Sequence, residues 1–320
     1  VQQSSWTSIE DYDLKSLIGK GAFGKIYRAK HKQSTETVAI KALKKEGIFS
    51  AWDANRIHLE KDILELATRK QNPFVVGLFA SFQTEHHLCL VMDYCAGGDL
   101  LDYLERPFPL EKTAFYAGCI VLGLQFLHKH NIIHRDIKPE NILIASDGYL
   151  KITDFGLSKK TKIYGGVAWT ICGTLYYMAP ELIECDRHTK SVDWWALGIM
   201  IYEMLVSVPP FTGPNAIIHE RIKRDEPTYP LLIKDPKKRL GASDRDAEEV
   251  MECSFFEQLD FDALSKKKIT PPFIPKKKSR GCFSRMFPKC RRQLKLSNSQ
   301  YKQTPKLVER EFQDFDCSML

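Results

Sequence analysis

The hydrophobic pattern of this chain changes at Gly97 and Gly98, and that change constrains the fold more than any other feature. Before the two glycines, β-branched and aromatic residues stand between polar turns, which is typical of short strands. One stretch in this part, 55–68, instead repeats apolar residues near helical spacing. After the glycines, helical stretches are expected over 110–130 and 191–206. The pattern predicts a small, sheet-rich lobe with one helix, followed by a larger, mainly helical lobe. The expected strands cover 12–17, 25–29, 37–43, 75–82 and 88–92.

Length and composition narrow the class of protein. A chain of 320 residues with 43% hydrophobic residues can bury one large core or two unequal cores. Nine cysteines without a Cys-x-x-Cys pair favour reduced thiols over a disulfide framework or a zinc cluster. The longest apolar run, 196–208, contains Glu203 and is shorter than the about 20 residues that cross a bilayer. We therefore expect no transmembrane helix and a cytoplasmic location.

A glycine-rich motif, Gly-Lys-Gly-Ala-Phe-Gly at 19–24, lies between two predicted strands. Without Cβ atoms, the backbone N–H groups of such a loop can approach the phosphates of a nucleotide. The motif alone is a weak signal, because a glycine-rich hairpin without a ligand also fits it. A Rossmann site is disfavoured, because it would need a helix directly after the glycines and residues 26–29 are predicted as a strand. A Walker loop is disfavoured as well, because it would end in Gly-Lys-Ser/Thr and this motif does not.

Lys41 ends the sequence Val-Ala-Ile-Lys at 38–41, on the strand that follows the glycine motif. A surface lysine is the simplest interpretation of such a residue. Glu60, on the predicted helix 55–68, could pair with the ammonium group and aim it at the α- and β-phosphates. The glycine motif and the lysine therefore reinforce each other.

Three further motifs follow in order: His-Arg-Asp-Ile-Lys-Pro-Glu-Asn at 134–141, Asp-Phe-Gly at 154–156 and Ala-Pro-Glu at 179–181. With the first two motifs, they make the chain over residues 12–256 resemble a eukaryotic protein kinase. The resemblance implies an α+β, bilobal protein-kinase fold with an antiparallel small lobe, a mainly helical large lobe and an extended C-terminal tail. The predicted divisions are an N-terminal extension 1–11, small lobe 12–94, large lobe 95–256 and tail 257–320.

The same resemblance implies a Ser/Thr protein kinase that uses ATP and Mg²⁺. Asp136 would orient the acceptor hydroxyl and accept its proton, and Lys138 would stabilise charge on the γ-phosphate. Asp154 and Asn141 would hold Mg²⁺. Lys138 and Thr174 are typical of kinases that act on serine and threonine. Nucleotide contacts are implied for Gly19, Lys20, Gly21, Ala22, Phe23, Gly24, Ile26, Ala39, Lys41, Met92, Asp93, Cys95, Glu140 and Leu143.

Further segments narrow the resemblance to the AGC group, first to protein kinase N and next to protein kinase C. They are 121–128 and 241–248, while the catalytic loop departs from that pattern at His134 and at Pro139 and Glu140. In this group the residue matching Thr170 is phosphorylated by an upstream kinase and pairs with the arginine matching Arg135. Acidic residues that match the peptide-binding subsites imply protein substrates with arginine upstream of the target. These residues are Asp99, Glu140 and Glu203, with Thr174 beside them.

One departure concerns the large lobe. Between Pro230 and Leu231 the chain is shorter than its relatives by about one helix, roughly a dozen residues. We expect the loss to expose apolar surface and to remove packing beneath Arg239, which the family pairs with Glu181. An alternative function therefore stands beside the enzyme: a kinase-like scaffold, or pseudokinase, with little turnover.

The C-terminal tail resembles the AGC extension. Phe312 and Phe315 would dock on the small lobe, Thr304 would be phosphorylated, and Asp316 stands where many relatives carry a phosphorylated residue. Cys317 replaces the usual closing aromatic residue and should weaken docking.

A basic stretch interrupts this tail. The segment 276–292 holds eight lysines or arginines among apolar residues and cysteines. It favours binding to an anionic membrane, or equally a solvated linker. The protein is thus predicted to be cytoplasmic, with membrane association as an option, and no specific nucleic-acid partner is expected.

Overall fold

The computed structural model describes residues 6–21, 24–162, 166, 168, 173–184, 186–225, 229–275 and 306–319. The chain divides into two compact units. The first contains the described residues within 1–72, 76–96 and 277–320, and the second contains those within 73–75 and 97–276. The basic stretch 276–292 and Thr304 lie outside the described residues.

The first unit is built on a six-stranded antiparallel sheet with the strand order β1-β2-β3-β5-β4-β11. Its elements are β1 Tyr12–Lys20, β2 Gly24–His31, β3 Thr37–Lys44, α1 Ala51–Arg69, β4 Leu78–Gln83, β5 His87–Asp93, α8 Lys306–Glu311 and β11 Cys317–Ser318. The strands predicted from the sequence lie within these bounds except at 75–77, which precede β4. Val75 belongs to the second unit and forms a bridge with Ile152 of that unit.

The strand register sorts side chains onto two faces of this sheet. Tyr27, Ile40 and Val91 oppose one another across β2, β3 and β5, and they belong to the buried hydrophobic core. Trp6 and Tyr12 complete that core, and the Trp6 indole is only 3% exposed. Trp6 lies before the predicted start of the small lobe, yet the structure packs it against the sheet.

Helix α1 begins at Ala51, four residues before the predicted helix 55–68, because Ser50 caps it. The Ser50 hydroxyl accepts the backbone N–H of Asp53, and the Asp53 carboxylate accepts that of Ser50. This capping box satisfies two N–H groups that the first helical turn leaves without partners. The periodic pattern did not reveal it because the first turn of α1 is mostly exposed.

The end of the chain packs on the first unit. Phe312 and Phe315 are fully buried, at 1% and 0% exposure. Cys317 pairs with Ser81 of β4 in the sheet, and its Sγ lies 3.2 Å from the Ser81 Oγ. Backbone pairing thus joins Cys317 and Ser318 to β4, and the expected weakening of docking by Cys317 stays a prediction.

The second unit is mainly helical. Its helices are α2 Leu110–Lys129, α3 Pro180–Ile183, α4 Ser191–Val206, α5 Asn215–Arg224, α6 Ala247–Met251 and α7 Phe261–Ser265. Its short strands form one three-stranded and one two-stranded sheet: β6 Gly98–Asp99, β8 Ile142–Ile144 and β9 Leu150–Ile152, then β7 Ile132–Ile133 with β10 Lys159–Lys160. Together the two units confirm the predicted α+β class.

Helix α2 forms the centre of the second unit. Among the described residues, it is the one helix with the length and apolar composition that could cross a membrane. Most of it is instead buried within the unit, against α4, α6, α7 and β9. The apolar character of α2 is therefore explained by a protein core.

The shortened join was expected to remove packing beneath Arg239, and that expectation is wrong. Leu231 and Leu232, in the 3₁₀ turn Pro230–Leu232, are 8% and 1% exposed. An added Cβ on Gly198 of α4 would lie 2.8 Å from both leucine side chains, so the turn sits directly on that helix. Arg239 is 1% exposed and still pairs with Glu181. The turn itself packs on α4, while Tyr229 and Ile233 beside it are 49% and 37% exposed.

Candidate active site

The first unit carries the glycine motif at the β1–β2 turn. Gly21 donates its N–H to the Gly24 carbonyl oxygen at 2.9 Å and closes the turn. A Cβ on Gly24 would lie 2.1 Å from the Ala42 carbonyl oxygen, so only glycine fits beside β3. Gly19 and Lys20 end β1. Ala22 and Phe23 lie outside the described residues.

The predicted nucleotide-binding side chains share one face of the sheet. Ile26 lies opposite Lys41, and Ala39 lies opposite Met92. Directly opposed residues of antiparallel strands project to the same side, as do residues two apart on β3. The structure therefore brings these four side chains onto one surface, opposite to the face that holds Tyr27 and Ile40.

Lys41 forms the ion pair that its motif suggested. Its Nζ lies 2.5 Å from the Glu60 Oε1 on α1. The Glu60 side chain is 6% exposed and that of Lys41 is 18% exposed, so solvent screens this pair only weakly. The pair holds the ammonium group at a fixed place on the sheet surface.

Two further predicted contacts lie at the end of this sheet. The Asp93 carboxylate accepts the Gly77 N–H at 2.9 Å, a contact that ties β5 to the chain before β4. Asp93 opposes Val38, which is on the core face. Contacts from Asp93 to a nucleotide would therefore come from its backbone. Cys95, just beyond β5, is 8% exposed.

In the second unit, Asp136 is at the centre of a polar cluster. Its carboxylate lies 2.8 Å from the Lys138 Nζ and accepts a hydrogen bond from the Asn141 Nδ2 at 2.9 Å. The Thr174 hydroxyl donates to the other Asp136 oxygen at 3.2 Å and accepts from Lys138 at 2.8 Å. Three residues that the sequence predicted separately thus meet around the carboxylate of Asp136, a residue that is 7% exposed.

His134 supports this cluster through a defined tautomer. Its Nδ1 accepts the backbone N–H of Asp136 at 3.2 Å, and its Nε2 lies 3.1 Å from the Thr153 carbonyl oxygen. Nδ1 must therefore carry the lone pair and Nε2 the proton. The ring connects the Asp136 loop to the residue directly before Asp154.

Asn141 and Asp154 lie at the ends of the paired strands β8 and β9. Ile142 opposes Ile152, and the Thr153 N–H bonds to the Asn141 carbonyl oxygen at 3.0 Å. Because the Asn141 Nδ2 donates to Asp136, the amide oxygen faces away from that carboxylate. An amide oxygen and a carboxylate are ligands that Mg²⁺ prefers, so this donor set fits the predicted ion.

Three predicted acidic residues lie close together in the second unit. Asp99 of β6 opposes Leu143 of β8. Burial, the charge of Asp102 and then that of Glu140 raise the pKa of Asp99 to about 6. Burial and Glu140 also raise the pKa of Glu203, although the hydrogen bond from the Tyr177 hydroxyl, at 2.7 Å, acts against them. The geometry gives this surface a dense negative charge.

Arg135, the residue before Asp136, has a positive φ of 68°. Its Nε donates to the Leu157 carbonyl oxygen at 2.8 Å. Its predicted partner, Thr170, lies outside the described residues.

Several residues that hold the site were not predicted from the sequence. Asp193 accepts the backbone N–H groups of His134 and Arg135, at 2.9 and 2.8 Å. The sequence contained a signal for Asp193, because it is an acid within the apolar stretch 191–206, and a charge in a buried helix needs partners. His128 and Asp246, which contact each other from 118 residues apart, gave no local signal.

Comparison with known proteins agrees with this geometry. The family described as "Protein kinase domain" matches residues 12–253. Serine/threonine-protein kinase N2 of Danio rerio is 43% identical over 84% of this chain and 29% of that protein. Protein kinase C-like 1 of Saccharomyces cerevisiae is 40% identical over 85% of this chain and 25% of its own length. Serine/threonine-protein kinase N3 of Mus musculus is 39% identical over 83% of this chain and 32% of its own length. The aligned part of this chain spans about a quarter to a third of the length of these curated relatives. The predicted resemblance to AGC kinases of the protein kinase N type is confirmed.

Proposed function

We propose, from the premise that this chain belongs to the protein kinase family, that it transfers the γ-phosphate of ATP to serine or threonine hydroxyls of proteins. The observation that carries this proposal is the cluster of Asp136, Lys138, Asn141 and Thr174. Such a cluster places a base, a cation and a metal-ligand amide around one point, which is what phosphoryl transfer requires.

In this mechanism the Asp136 carboxylate orients the acceptor hydroxyl and takes its proton. The hydroxyl oxygen forms a bond to the γ-phosphorus, while the bond from that phosphorus to the leaving oxygen of ADP breaks. Lys138 stabilises the negative charge that spreads over the γ-phosphate oxygens. Lys41, held by Glu60, pairs with the α- and β-phosphates.

Mg²⁺ is expected at Asn141 and Asp154. When bound, it neutralises charge on the phosphates of ATP. The hydrogen bonds from the Asn141 amide to Asp136 connect the metal ligand to the base, so a change at either residue should disturb both.

The acidic surface of Asp99, Glu140 and Glu203 supports a preference for arginine upstream of the target residue. Arginine pairs with carboxylates through two parallel hydrogen bonds, and several carboxylates together favour a cationic peptide. Glu203 is held in place by the Tyr177 hydroxyl, so one member of the surface has a fixed orientation.

The assay measures transfer of ³²P from ATP with Mg²⁺ to two matched serine peptides, one with arginine and one with alanine at positions −2 and −3. We expect the arginine peptide to be preferred by about tenfold or more. Asp136→Asn should abolish transfer while ATP binding persists. Glu105→Gln, an exposed acid of the same unit, is the matched control and should behave as the unchanged chain.

The possible results separate the functions. ATP binding with no transfer to any Ser or Thr peptide would reject the kinase and favour a scaffold. Transfer without preference for arginine would retain the kinase and reject the basic subsite. Loss of transfer in the Glu105→Gln control would show that charge at this unit acts nonspecifically.

Two finer proposals concern regulation and location. Thr170 would be phosphorylated by an upstream kinase and pair with Arg135, which a Thr170→Ala variant tests through loss of activation. The basic stretch 276–292 would bind anionic membranes from a cytoplasmic location. Deletion of that stretch should abolish binding to vesicles of anionic lipid, and unchanged binding would reject the membrane proposal.

A further inference from the structure

A buried histidine at the end of α2 contacts two carboxylates. The His128 side chain is fully buried. Its Nε2 lies 2.9 Å from the Asp193 Oδ2, and its Nδ1 lies 3.1 and 3.2 Å from the two Asp246 oxygens. Both ring nitrogens therefore face an acceptor.

This geometry fixes the charge of the ring. A neutral imidazole has one N–H and one lone pair, so one carboxylate would face a lone pair and be repelled. Only the imidazolium donates to both partners. Burial alone would lower the pKa of His128, but the hydrogen bonds and charges of Asp193 and Asp246 outweigh burial and raise it to about 9. Burial would raise the pKa of each aspartate, but the hydrogen bond from His128 lowers it.

The cluster is balanced in charge. Asp246 also accepts from the Trp194 Nε1 at 2.9 Å and lies 3.4 Å from the Lys190 Nζ. Asp193 and Asp246 face the imidazole directly, and Lys190 lies beyond Asp246. Two carboxylates thus meet two cations inside the second unit, as buried charges require.

Asp193 connects this cluster to the catalytic loop. The carboxylate that contacts His128 also accepts the backbone N–H groups of His134 and Arg135. Asp136 is the next residue in the chain. If the imidazolium were absent, Asp193 would lose its cationic partner and the hold on this backbone would weaken.

We propose that His128 is a charged positioning residue for phosphoryl transfer, which keeps Asp193 on the catalytic-loop backbone and so places Asp136. The inference rests on the proposed kinase activity and adds a residue outside the reacting groups. Since the pKa of His128 in the folded protein exceeds its ordinary value of 6.5, the stabilising charge is fully present below pH 6.5. It is lost as the pH rises through about 9.

The charge is tested on the full chain by NMR of labelled histidine rings, assigned by comparison with His128→Gln. We expect both ring nitrogens of His128 to be protonated at pH 8, with a midpoint near 9. A neutral ring at pH 8 would overturn the proposal whether or not the chain phosphorylates peptides.

Positioning is tested by kinetics. His128→Gln should lower kcat about tenfold to a hundredfold, with the KM for ATP and peptide within about twofold. It should also remove the alkaline decline of kcat that the unchanged chain shows near pH 9. His130→Gln, two residues along and bonded to the Phe126 carbonyl oxygen, is the matched control and should retain both. An unchanged kcat or an unchanged alkaline decline in His128→Gln would contradict the proposal.

Two measurements keep the test decisive. If His128→Gln does not fold, Asp246→Asn replaces it, because it removes one counter-charge of the imidazolium. The alkaline decline of kcat should then move to lower pH, and an unmoved decline would contradict the proposal. If the unchanged chain shows no kinase activity, the proposed function fails. Hydrogen exchange at the amides of His134 and Arg135 then decides the inference, because equal protection in His128→Gln and His130→Gln would refute positioning.

Discussion

Replacing Arg239 tests whether the short turn Pro230–Leu232 takes over the packing expected of a longer segment. The guanidinium binds Glu181 through two hydrogen bonds, at 2.6 and 3.0 Å. It also donates to the carbonyl oxygens of Ile233, Lys234 and Ser191, at 2.9, 3.1 and 3.0 Å. The buried Arg239 side chain therefore joins the short segment after the turn to the rest of the second unit.

The magnitude follows from the burial. Arg239→Met removes the cation and leaves the Glu181 carboxylate, which is 5% exposed, without its partner. Breaking a buried ion pair from one side costs about 3–5 kcal/mol. For a unit of this size, each kcal/mol lowers Tm by about 2–4 °C, so a loss of about 10 °C is expected.

Thermal unfolding followed by circular dichroism measures this loss. Arg224→Met is the matched control, because Arg224 pairs with Glu220 on the surface, where its side chain is 81% exposed. An exposed pair contributes under about 1 kcal/mol, so Tm should move little. The double variant Arg239→Met with Glu181→Gln should lose less than the two single changes added together, because each single change leaves one buried charge unpaired and the double variant leaves none.

A fall in Tm for Arg239→Met no larger than for Arg224→Met would refute the reasoning. It would mean that the segment after Pro230 is held by other contacts, or that it does not pack as described. Additive losses in the double variant would also count against a specific pair between Arg239 and Glu181.

Three more predictions follow from single residues. Because burial raises the pKa of Asp99 to about 6, kcat/KM for an arginine-containing peptide should rise from pH 5 to pH 7, and Asp99→Asn should flatten that rise while the alanine peptide shows none. Phe315→Ala, at a site with 0% exposure, should cost about 3–5 kcal/mol in urea unfolding, whereas Phe49→Ala, at 81% exposure, should cost nothing measurable. Gly148 has a φ of 88° and an added Cβ would lie 2.3 Å from the Phe273 carbonyl oxygen, so Gly148→Ala should lower Tm, while Gly47→Ala, with open space around it, should not.

Local sequence patterns predicted the elements and the candidate catalytic residues because both depend on neighbours along the chain. The helix 191–206 was predicted with its observed bounds, since an apolar stretch of this length is typical of a buried helix. The order of motifs from Gly19 to Asp154 identified the family. The ion pair of Lys41 with Glu60 was also anticipated, and the structure contains it.

What the sequence could not predict depends on contacts between distant segments. One example is the pairing of Cys317 with Ser81, 236 residues away, which joins the end of the chain to β4. Backbone hydrogen bonds depend little on residue type, so the sequence pattern did not predict this pairing.

The sequence by itself determined the fold class, the family and the groups that we propose to act on ATP and the acceptor hydroxyl. Tertiary structure alone decided that Leu231 and Leu232 cover α4 despite the shortened join, and that His128 lies between Asp193 and Asp246. The physical reason is that packing and buried charge are set by which residues meet in space. Contacts between residues far apart in the sequence form only when the chain folds, so local patterns do not predict them.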